Sequence, residues 1–360
     1  MAETPKRPEG KPAPRKKSAA TGGKAATGKA GAPAKSPAQT PAQTPGQTPG
    51  QTPAKPKTAA KAVAKSPGKP AAAKARAAKT ETVRTGDDLR KATAAWRAKN
   101  ERIALVATMG ALHEGHIALV EKAKASADRT VVSIFVNPTQ FAPNEDLERY
   151  PRNEEADLKQ LSALGVDLVW MPSLEEMYPD GFSTGVKPGR AAGGLETDFR
   201  PHFFGGVATV VAKLFNQVRP DLAVFGEKDY QQLIVVRQLA RDLDMNLEVV
   251  GVQTVREKDG LALSSRNAYL SETERAIAPN LNLVLNEVAH AAASGASIAH
   301  LKAAAQMRLL TLGFAKVDYV EVRDAETLEP YDVDAGRPGR VLGAAWLGRT
   351  RLIDNVPVAL

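Results

Sequence analysis

The chain has 360 residues, a formal net charge of +9 and a hydrophobic content of 43%, which fits a globular protein that also carries a basic segment. It contains no cysteine, which excludes disulfides, thiol nucleophiles and thiolate metal sites. No apolar run approaches the ~18 residues of a transmembrane helix, and neither a secretory signal nor a transit peptide is recognisable, so we expect a cytoplasmic protein without membrane contact.

Residues 1–80 have a strongly biased composition. They consist almost entirely of Ala, Lys, Pro, Thr, Gly, Gln and Ser, include the repeat AQTPAQTPGQTPGQTP, and contain no Ile, Leu, Phe, Trp or Tyr. Such a segment cannot bury enough apolar surface to offset the entropy of ordering, so we expect a disordered tail. The tail carries the excess of positive charge, and the rest of the chain is mildly acidic. It could bind nucleic acid weakly through phosphates, or act as a solvated spacer.

Between about residue 84 and residue 256, short β-branched runs alternate with segments of helical periodicity. In chain order the pattern predicts a helix at 85–100, a strand at 102–109, a helix at 116–127, a strand at 130–137, a helix at 153–165, a strand at 166–172, an irregular Gly-rich stretch to about 206, a helix at 207–218, a strand at 221–226, a helix at 230–243 and a strand at 246–255. This alternation predicts an α/β domain at 81–256, with a parallel sheet covered by helices on both faces.

After Arg256 the pattern changes. Two helices follow one another, and three strands joined by tight turns come after them; the predicted helices lie at 271–295 and 297–313, and the predicted strands at 317–324, 339–348 and 350–360. The pattern predicts a smaller α+β domain at 257–360. Because ligands of open α/β sheets bind at the carboxyl ends of the strands, this domain could cover that edge as a lid.

The stretch TMGALHEGH lies at the first strand-to-helix turn of the parallel domain. A helix N-terminus offers free N–H groups and partial positive charge to a phosphate, and Gly110 and Gly115 permit a tight turn and close approach of a ligand. Neither a Walker loop nor a dinucleotide-binding loop is present. His113 and His116 lie on the same side of the first helical turn, where two imidazoles suit a phosphate that gains charge during displacement. The alternatives are a structural pair that caps the turn and a pair of metal ligands.

Three further polar clusters follow other strands. FGEKDYQQL places Lys228 where a cation would face a phosphate, and LSSR combines two hydroxyls with a guanidinium, which suits a polyphosphate. FVNPTQF places Asn137 and Gln140 where amides would fix a polar, uncharged substrate. Taken singly, these are also typical of a solvated loop, a helix cap and a turn. Because all of them follow strands of one parallel sheet, we expect them to meet the histidines at one edge and to form a phosphate site.

Five motifs together resemble the pantothenate synthetase (pantoate–β-alanine ligase) family in order and spacing, over roughly residues 83–360; they are TMGALHEGH, VSIFVNPTQF, LERYPR, FGEKDYQQL and DGLALSSRNAYL. HEGH is similar to the HIGH motif of class I nucleotidyltransferases and alone indicates only that superfamily. The resemblance implies a Rossmann-like nucleotidyltransferase domain that condenses (R)-pantoate with β-alanine and ATP through a pantoyl adenylate, releasing AMP and pyrophosphate. It also implies Mg²⁺ and a homodimer.

The resemblance implies roles for individual residues. The catalytic set is His116, which would be the proton donor, with His113, Lys228 and Arg266. The ATP site adds Met109, Gly110, Ala111, Leu112, Glu114, Gly115, Gly226, Glu227, Asp229, Val255, Leu263, Ser264 and Ser265. Pantoate and β-alanine would contact Gln140, Gln232, Asn137 and Arg200. Where many members have two adjacent acids this chain has Ala156 and Asp157, so Asp157 is a candidate magnesium ligand.

One motif departs from the family pattern. RPHFFGG displaces the histidine of the usual R-P-G-H-F by one position, so no role for His202 is implied. Two other functions remain open at this point. A different HIGH-motif nucleotidyltransferase would transfer AMP to a phosphate, although NPTQF and Gln232 argue for a small-acid pocket. The protein could also bind nucleic acid through its basic tail, but this function would not account for the motifs of the folded part.

Overall fold

A computed structural model describes residues 80–143 and 145–358 of the chain. The tail predicted at residues 1–80 therefore lies outside the described residues, apart from Thr80. Within the described residues a parallel sheet with helices precedes a smaller antiparallel sheet. The predicted Rossmann-like α/β fold with an α+β C-terminal region is confirmed. The division into separate domains at residue 256 stays a prediction.

The described strands of the first sheet are β1 (Glu81–Val83), β2 (Ile103–Thr108), β3 (Arg129–Ile134), β4 (Leu168–Trp170), β5 (Leu222–Gly226) and β6 (Glu248–Val252). They are all parallel and lie in the order β1-β4-β3-β2-β5-β6. From β2 the next strands, β3 and β4, are added on one side, whereas β5 and β6 are added on the other side. The direction in which strands are added therefore changes between β2 and β5. Ligands of open α/β sheets bind at such a switch point, outside the carboxyl ends of the strands.

The strand β2 lies in the interior of the sheet, and this position accounts for its apolar sequence. It reads IALVAT, and its first four residues are completely buried. A central parallel strand is covered by helices on both faces, so it requires a continuous apolar run rather than alternation. This burial fixes the position of the loop that follows Thr108.

The described residues form helices α1 (Gly86–Arg97), α2 (Glu114–Ser126), α3 (Glu154–Ala163), α4 (Leu174–Met177), α5 (Glu196–Phe199), α6 (Phe203–Val218), α7 (Tyr230–Asp242), α8 (Glu272–Ile277), α9 (Asn280–Ala293) and α10 (Ile298–Thr311). Several begin at capping side chains: Thr85 accepts from the Asp88 N–H, and Asn153 from the Ala156 N–H. Of the helices in the described part of the chain, none has both the length and the apolar run needed to cross a bilayer.

Several features differ from the sequence prediction, including the short helices α4 and α5 in the stretch that was expected to be irregular. The strand β1 was not predicted, because its three residues form a strand only by pairing with β4 at the sheet edge. The single helix predicted at 271–295 is wrong, since the chain breaks between α8 and α9 at Pro279, whose ring and missing N–H cannot continue a helix. The helix α6 begins four residues before the predicted start, at Phe203 rather than at Val207.

The C-terminal sheet in the described residues consists of β7 (Lys316–Asp324), β8 (Gly339–Leu347) and β9 (Thr350–Val358), all antiparallel. The central strand β8 is buried on both faces. Leu342 and Ala344 belong to the core around the parallel sheet, whereas Val341, Ala345 and Leu347 pack in a second core with α9 and α10. Successive side chains of a strand point to opposite faces, so this sheet joins both cores.

Candidate active site

A cavity of about 550 Å³ opens at the carboxyl ends of the parallel strands, at the switch point between β2 and β5. Residues of β8 and β9 close one side of it. The predicted site residues that line it are Met109, His113, Gly115, His116, Asn137, Gln140, Arg200, Gly226, Lys228, Asp229, Gln232, Val255, Leu263, Ser264, Ser265 and Arg266. The structure therefore brings the four separate polar clusters together around one space. The other predicted ATP-site residues, Gly110, Ala111, Leu112, Glu114 and Glu227, do not line the cavity.

The loop between β2 and α2 turns sharply through a left-handed conformation. Gly110 has φ of +82° and Ala111 has φ of +52°, and a Cβ atom at Gly110 would lie 3.0 Å from a carboxylate oxygen of Asp157. The position thus requires glycine on two grounds, the backbone angle and the close approach. The Ser265 hydroxyl donates to the Ala111 carbonyl at 3.4 Å, which ties the loop to the LSSR segment.

His113 and His116 cap the helix α2 and at the same time line the cavity. Nδ1 of His113 accepts from the Gly115 N–H at 3.1 Å, and Nδ1 of His116 accepts from the His113 N–H at 3.4 Å. The ring centroids are 4.2 Å apart. Because a backbone N–H donates to each Nδ1, each neutral ring carries its proton on Nε2. The capping alternative and the functional one are compatible, since the caps orient the rings.

Both imidazoles are held neutral. Burial lowers the pKa of His116 to about 3, with a further lowering by His113 and Lys228 that Asp229 opposes. Burial and the charge of Lys228 also lower the pKa of His113. A buried imidazole beside a fixed cation disfavours its own charged form. At neutral pH this turn therefore offers two N–H donors without two extra positive charges.

Asp157 does not face the cavity. Its side chain is 3% exposed, and its two carboxylate oxygens accept from the N–H groups of Ala111 and Leu112, both at 2.9 Å. A buried carboxylate used in this way anchors the loop and leaves little capacity for a metal. The expectation that Asp157 binds magnesium does not fit this placement. Among the described residues no group of three or more His, Asp or Glu side chains could hold a metal ion.

Lys228 and Arg266 both line the cavity. Lys228 follows β5 in the 3-10 turn Glu227–Asp229, with Nζ 3.7 Å from an Asp229 carboxylate oxygen. Arg266 pairs with Asp146 through two hydrogen bonds, of 3.0 and 2.9 Å. Burial alone would lower the pKa of Arg266, but the bonds and charge of Asp146 raise it above its ordinary value. The Ser264 hydroxyl accepts from the Arg266 N–H and fixes the start of this segment.

The amides of the NPTQF motif form a small hydrogen-bonded unit. Asn137 is 1% exposed, its Nδ2 donates to Gln140 Oε1 at 3.1 Å, and its Oδ1 accepts from the Tyr178 hydroxyl at 2.8 Å. The Asn137 Nδ2 also donates to the carbonyl of Gly206 in α6, at 3.3 Å. A Cβ atom at Gly206 would lie 2.4 Å from the Thr139 carbonyl oxygen, so only glycine permits this approach. The amides are thereby fixed in orientation at the cavity wall.

Arg200 also lines the cavity, but its guanidinium is already paired. It bonds Glu145 through Nε at 2.7 Å and through a terminal nitrogen at 2.6 Å, and donates to the Gln140 carbonyl at 3.1 Å. The ring of Phe203 lies 3.9 Å beneath the guanidinium. His202 does not line the cavity.

Sequence reasoning missed several residues of the site. Asp146, Tyr178 and Asn355 line the cavity or orient groups that do. Tyr178 belongs to the stretch that the sequence left irregular, where no periodicity marks it. Asn355 had a usable signal, since the adjacent acid and amide of RLIDNV interrupt an otherwise apolar strand.

The chain is similar to known proteins over nearly all of its described residues. A family model described as Pantoate-beta-alanine ligase matches residues 81–357. The chain is 55% identical to the pantothenate synthetase of Mesorhizobium japonicum over 278 residues, 77% of this chain and 98% of that protein. It is 56% identical to the pantothenate synthetase of a Bradyrhizobium species over 271 residues, 75% of this chain and 95% of the relative.

Solved structures of pantothenate synthetases are also similar to this chain. The crystal structure of a pantothenate synthetase from Thermus thermophilus superposes with a TM-score of 0.73 at 48% identity, covering 78% of this chain and 100% of that one. A pantoate–β-alanine ligase from Francisella tularensis, complexed with β,γ ATP and β-alanine, gives a TM-score of 0.66 at 33% identity, covering 77% and 97%.

Proposed function

Because the chain belongs to the pantoate–β-alanine ligase family, we propose that its cavity at the switch point carries out the family's reaction with His113, His116, Lys228 and Arg266 as catalytic residues. The chain is an ATP-dependent ligase that forms pantothenate from pantoate and β-alanine. Different residues around the cavity bind the phosphates and the two small acids in the two steps of that reaction.

In the first step a carboxylate oxygen of pantoate attacks the α-phosphorus of ATP. A P–O bond forms to the pantoate oxygen, the bond from the α-phosphorus to the bridging oxygen breaks, and pyrophosphate leaves. The neutral rings of His113 and His116 donate Nε2–H hydrogen bonds to the phosphate oxygens that gain charge, and Lys228 supplies a fixed cation. Because the low pKa keeps His116 neutral, its role here is to donate a hydrogen bond from Nε2–H. The resemblance implied a different role, the transfer of a proton.

Arg266, Ser264 and Ser265 hold the β- and γ-phosphates and then the departing pyrophosphate. A planar guanidinium binds two oxyanion atoms at once, and the neighbouring hydroxyls supply further donors. Asp146 already occupies the edge of this guanidinium formed by Nε and one terminal nitrogen. Binding of ATP therefore exchanges one anionic partner of Arg266 for another.

The amide wall of the cavity binds the small acids. Gln140 and Gln232 contact the hydroxyls and carboxylate of pantoate, Asn137 fixes the Gln140 side chain, and Arg200, paired with Glu145, fixes the Gln140 carbonyl. In the second step the amine of β-alanine attacks the acyl carbon of the adenylate. The C–N bond forms, the acyl C–O bond to the phosphate breaks, AMP leaves with that oxygen, and the nitrogen releases its proton to solvent. Neutral amides suit a substrate that must keep its carboxylate free to react.

Magnesium, the dimer and the cellular location also belong to the proposal. Magnesium would take its ligands mainly from the ATP phosphates, because the described residues offer no acidic cluster for it, and it would neutralise phosphate charge when bound. The resemblance supports a homodimer and a cytoplasmic location.

The observation that carries the proposal is the convergence of the histidine pair, Lys228 and the Ser264–Arg266 segment on one cavity. The test is ATP–pyrophosphate exchange with a panel of small hydroxy acids. We expect exchange that requires pantoate and does not require β-alanine. Exchange of equal rate without pantoate, or with a phosphate acceptor in its place, would favour a different nucleotidyltransferase.

A further inference from the structure

Two adjacent polar residues, Asp354 and Asn355, lie in the middle of the strand β9. They are 4% and 2% exposed, although the strand is otherwise mainly apolar. Burying an acid and an amide costs free energy unless both are fully hydrogen-bonded. The partners of these two side chains therefore explain why the strand contains them.

Asn355 bonds the turn that carries Lys228. Its Nδ2 donates to the carbonyl of Glu227 at 2.8 Å and to the carbonyl of Lys228 at 2.9 Å. Its Oδ1 accepts from Nε of Arg340 at 2.7 Å. One side chain of the C-terminal sheet thus fixes two consecutive peptide carbonyls of the catalytic turn.

Arg340 holds the same turn at a second point. Its guanidinium donates to the Glu227 carboxylate at 3.1 Å and lies 4.1 Å from the centre of the Tyr230 ring. Glu227 was expected to contact ATP, but its carboxylate is used here. Asn355 therefore fixes the backbone of the turn. Arg340 fixes the Glu227 carboxylate within the turn and the Tyr230 ring that follows it.

Asp354 bonds the segment that leads to Arg266. Its two oxygens accept from Arg256 at 2.6 and 2.9 Å, and one of them also accepts from Asn282 at 3.1 Å. Arg256 pairs with Ala262 at the base of a short hairpin that leads directly to Ser264–Arg266. The acid therefore fixes the base from which the phosphate-binding segment extends.

The two side chains point to opposite faces of the sheet, as neighbours in a strand must. Asn355 pairs with Leu342, whose side chain lies in the core of the parallel sheet, and Asp354 pairs with Gly343, which lies against Leu285 of α9. One stretch of backbone thus links the Lys228 turn to the hairpin of Arg266.

We propose that Asp354 and Asn355 are positioning residues that set the Lys228 turn and the Ser264–Arg266 segment at the spacing a triphosphate requires. The proposal rests on the function assigned above to Lys228 and Arg266. Neither residue needs to touch the reacting atoms, since each acts through a group that does. A displacement of catalytic groups by about 1 Å is enough to lower a rate on the order of 100-fold.

The test is a double-mutant cycle on pantoate-dependent ATP–pyrophosphate exchange. Asn355→Ser removes the amide, and we expect kcat/KM for ATP to fall on the order of 10- to 100-fold. In a Lys228→Ala background the same substitution should cost less than about threefold, because the group it positions is already absent. Equal losses in both backgrounds would overturn the proposal.

Asp354→Asn provides the second arm of the experiment. Its loss of exchange should disappear in an Arg266→Ala background and persist in a Lys228→Ala background. The opposite pattern would contradict the assignment of each side chain to its own segment. Asp324→Asn is the matched control, since it removes a buried acid from the same sheet at a turn outside the cavity, and exchange should not change.

Two further measurements keep the outcomes distinct. Thermal unfolding of each full-length variant shows whether the fold is retained, and Arg340→Lys replaces Asn355→Ser in the cycle if the latter does not fold. If Lys228→Ala itself leaves exchange unchanged, the proposed function fails. If Lys228→Ala lowers exchange but Asn355→Ser is additive with it, only the positioning role fails.

Discussion

The imidazole of His116 is neutral because it is buried beside a cation, and this has a direct consequence for pH dependence. Its pKa of about 3 lies well below the ordinary value of 6.5. The unfolded chain therefore binds this proton below about pH 6.5 while the folded chain does not, so His116 destabilises the fold progressively as the pH falls toward 3. Above about pH 6.5 it adds no such effect.

We predict that the ring carbon shifts of His116 in a ¹³C-labelled sample stay at the neutral Nε2–H values from about pH 5 to pH 8. The activity profile should show no inflection from this residue in that range. A titration of His116 near pH 6.5 would contradict the assignment of a neutral donor. Loss of the neighbouring cation in Lys228→Ala should raise the pKa of His116, because that charge lowers it.

Substitution of the same residue tests its catalytic role. His116→Ala removes one preorganised donor, and we expect adenylate formation to slow about 100- to 1000-fold. Stability should fall by only about 1 kcal/mol, the usual cost of a lost helix cap. Rapid-quench measurement of pantoyl adenylate, with thermal unfolding alongside, separates the two effects. Slowing that matches the loss of folded protein would instead indicate a purely structural histidine.

Tyr178 orients the substrate amides through Asn137. Tyr178→Phe removes only the hydroxyl, and we expect KM for pantoate to rise about fivefold, the equivalent of one hydrogen bond worth about 1 kcal/mol. KM for ATP should change much less. The control is Tyr331→Phe in the C-terminal region, away from the cavity, which should leave both constants unchanged. Equal changes in both KM values would argue for a general disturbance of the cavity.

The individual residues of the site were predictable to different degrees. The histidines, Lys228 and Arg266 could be found because motifs mark them at the ends of apolar strands. Tyr178 could not, because its hydroxyl acts through a contact with Asn137, 41 positions away in the chain. The contacts of Asp157 with the loop were also hidden, since a carboxylate bonded to backbone N–H groups and one that binds a metal look the same in sequence.

At the scale of elements, the close approach of α6 to the 3-10 turn Pro138–Gln140 controls the pantoate wall. Gly206→Ala would place a methyl group against the Thr139 carbonyl, and the cost of such overpacking is about 1 to 3 kcal/mol. We expect a lower midpoint of thermal unfolding together with a raised KM for pantoate. The matched control is Gly205→Ala, whose Cβ has its nearest contact at 3.9 Å and should be tolerated. Equal stability of both variants would contradict this packing.

The regular elements followed from periodicity, and the exceptions have physical causes. The six-residue strand β2 could be predicted from its continuous apolar run. The three-residue strand β1 has no such run and depends on pairing with β4. The break at Pro279 follows from proline stereochemistry, yet the apolar periodicity on both sides of it concealed the break.

At the scale of the whole molecule, the match to the ligase family begins at residue 81 and leaves the basic N-terminal segment outside it. We predict that a protein starting at Thr80 retains kcat/KM for all three substrates within about twofold, since every residue assigned to the reaction is retained. Salt-sensitive retention on DNA, if the full chain shows it, should be lost with the segment. A large loss of ligase activity in the shortened protein would show that the segment contributes to the reaction.

The central claim is that loops from separate strands surround one triphosphate, and a crystal structure with a non-hydrolysable ATP analogue and pantoate tests it most directly. The account predicts phosphate oxygens within about 3 Å of Lys228 Nζ, of the Arg266 guanidinium and of Nε2 of His116. It also predicts that Asp146 has released Arg266. A nucleotide bound beside Asp157 instead, or phosphates out of reach of both cations, would contradict it.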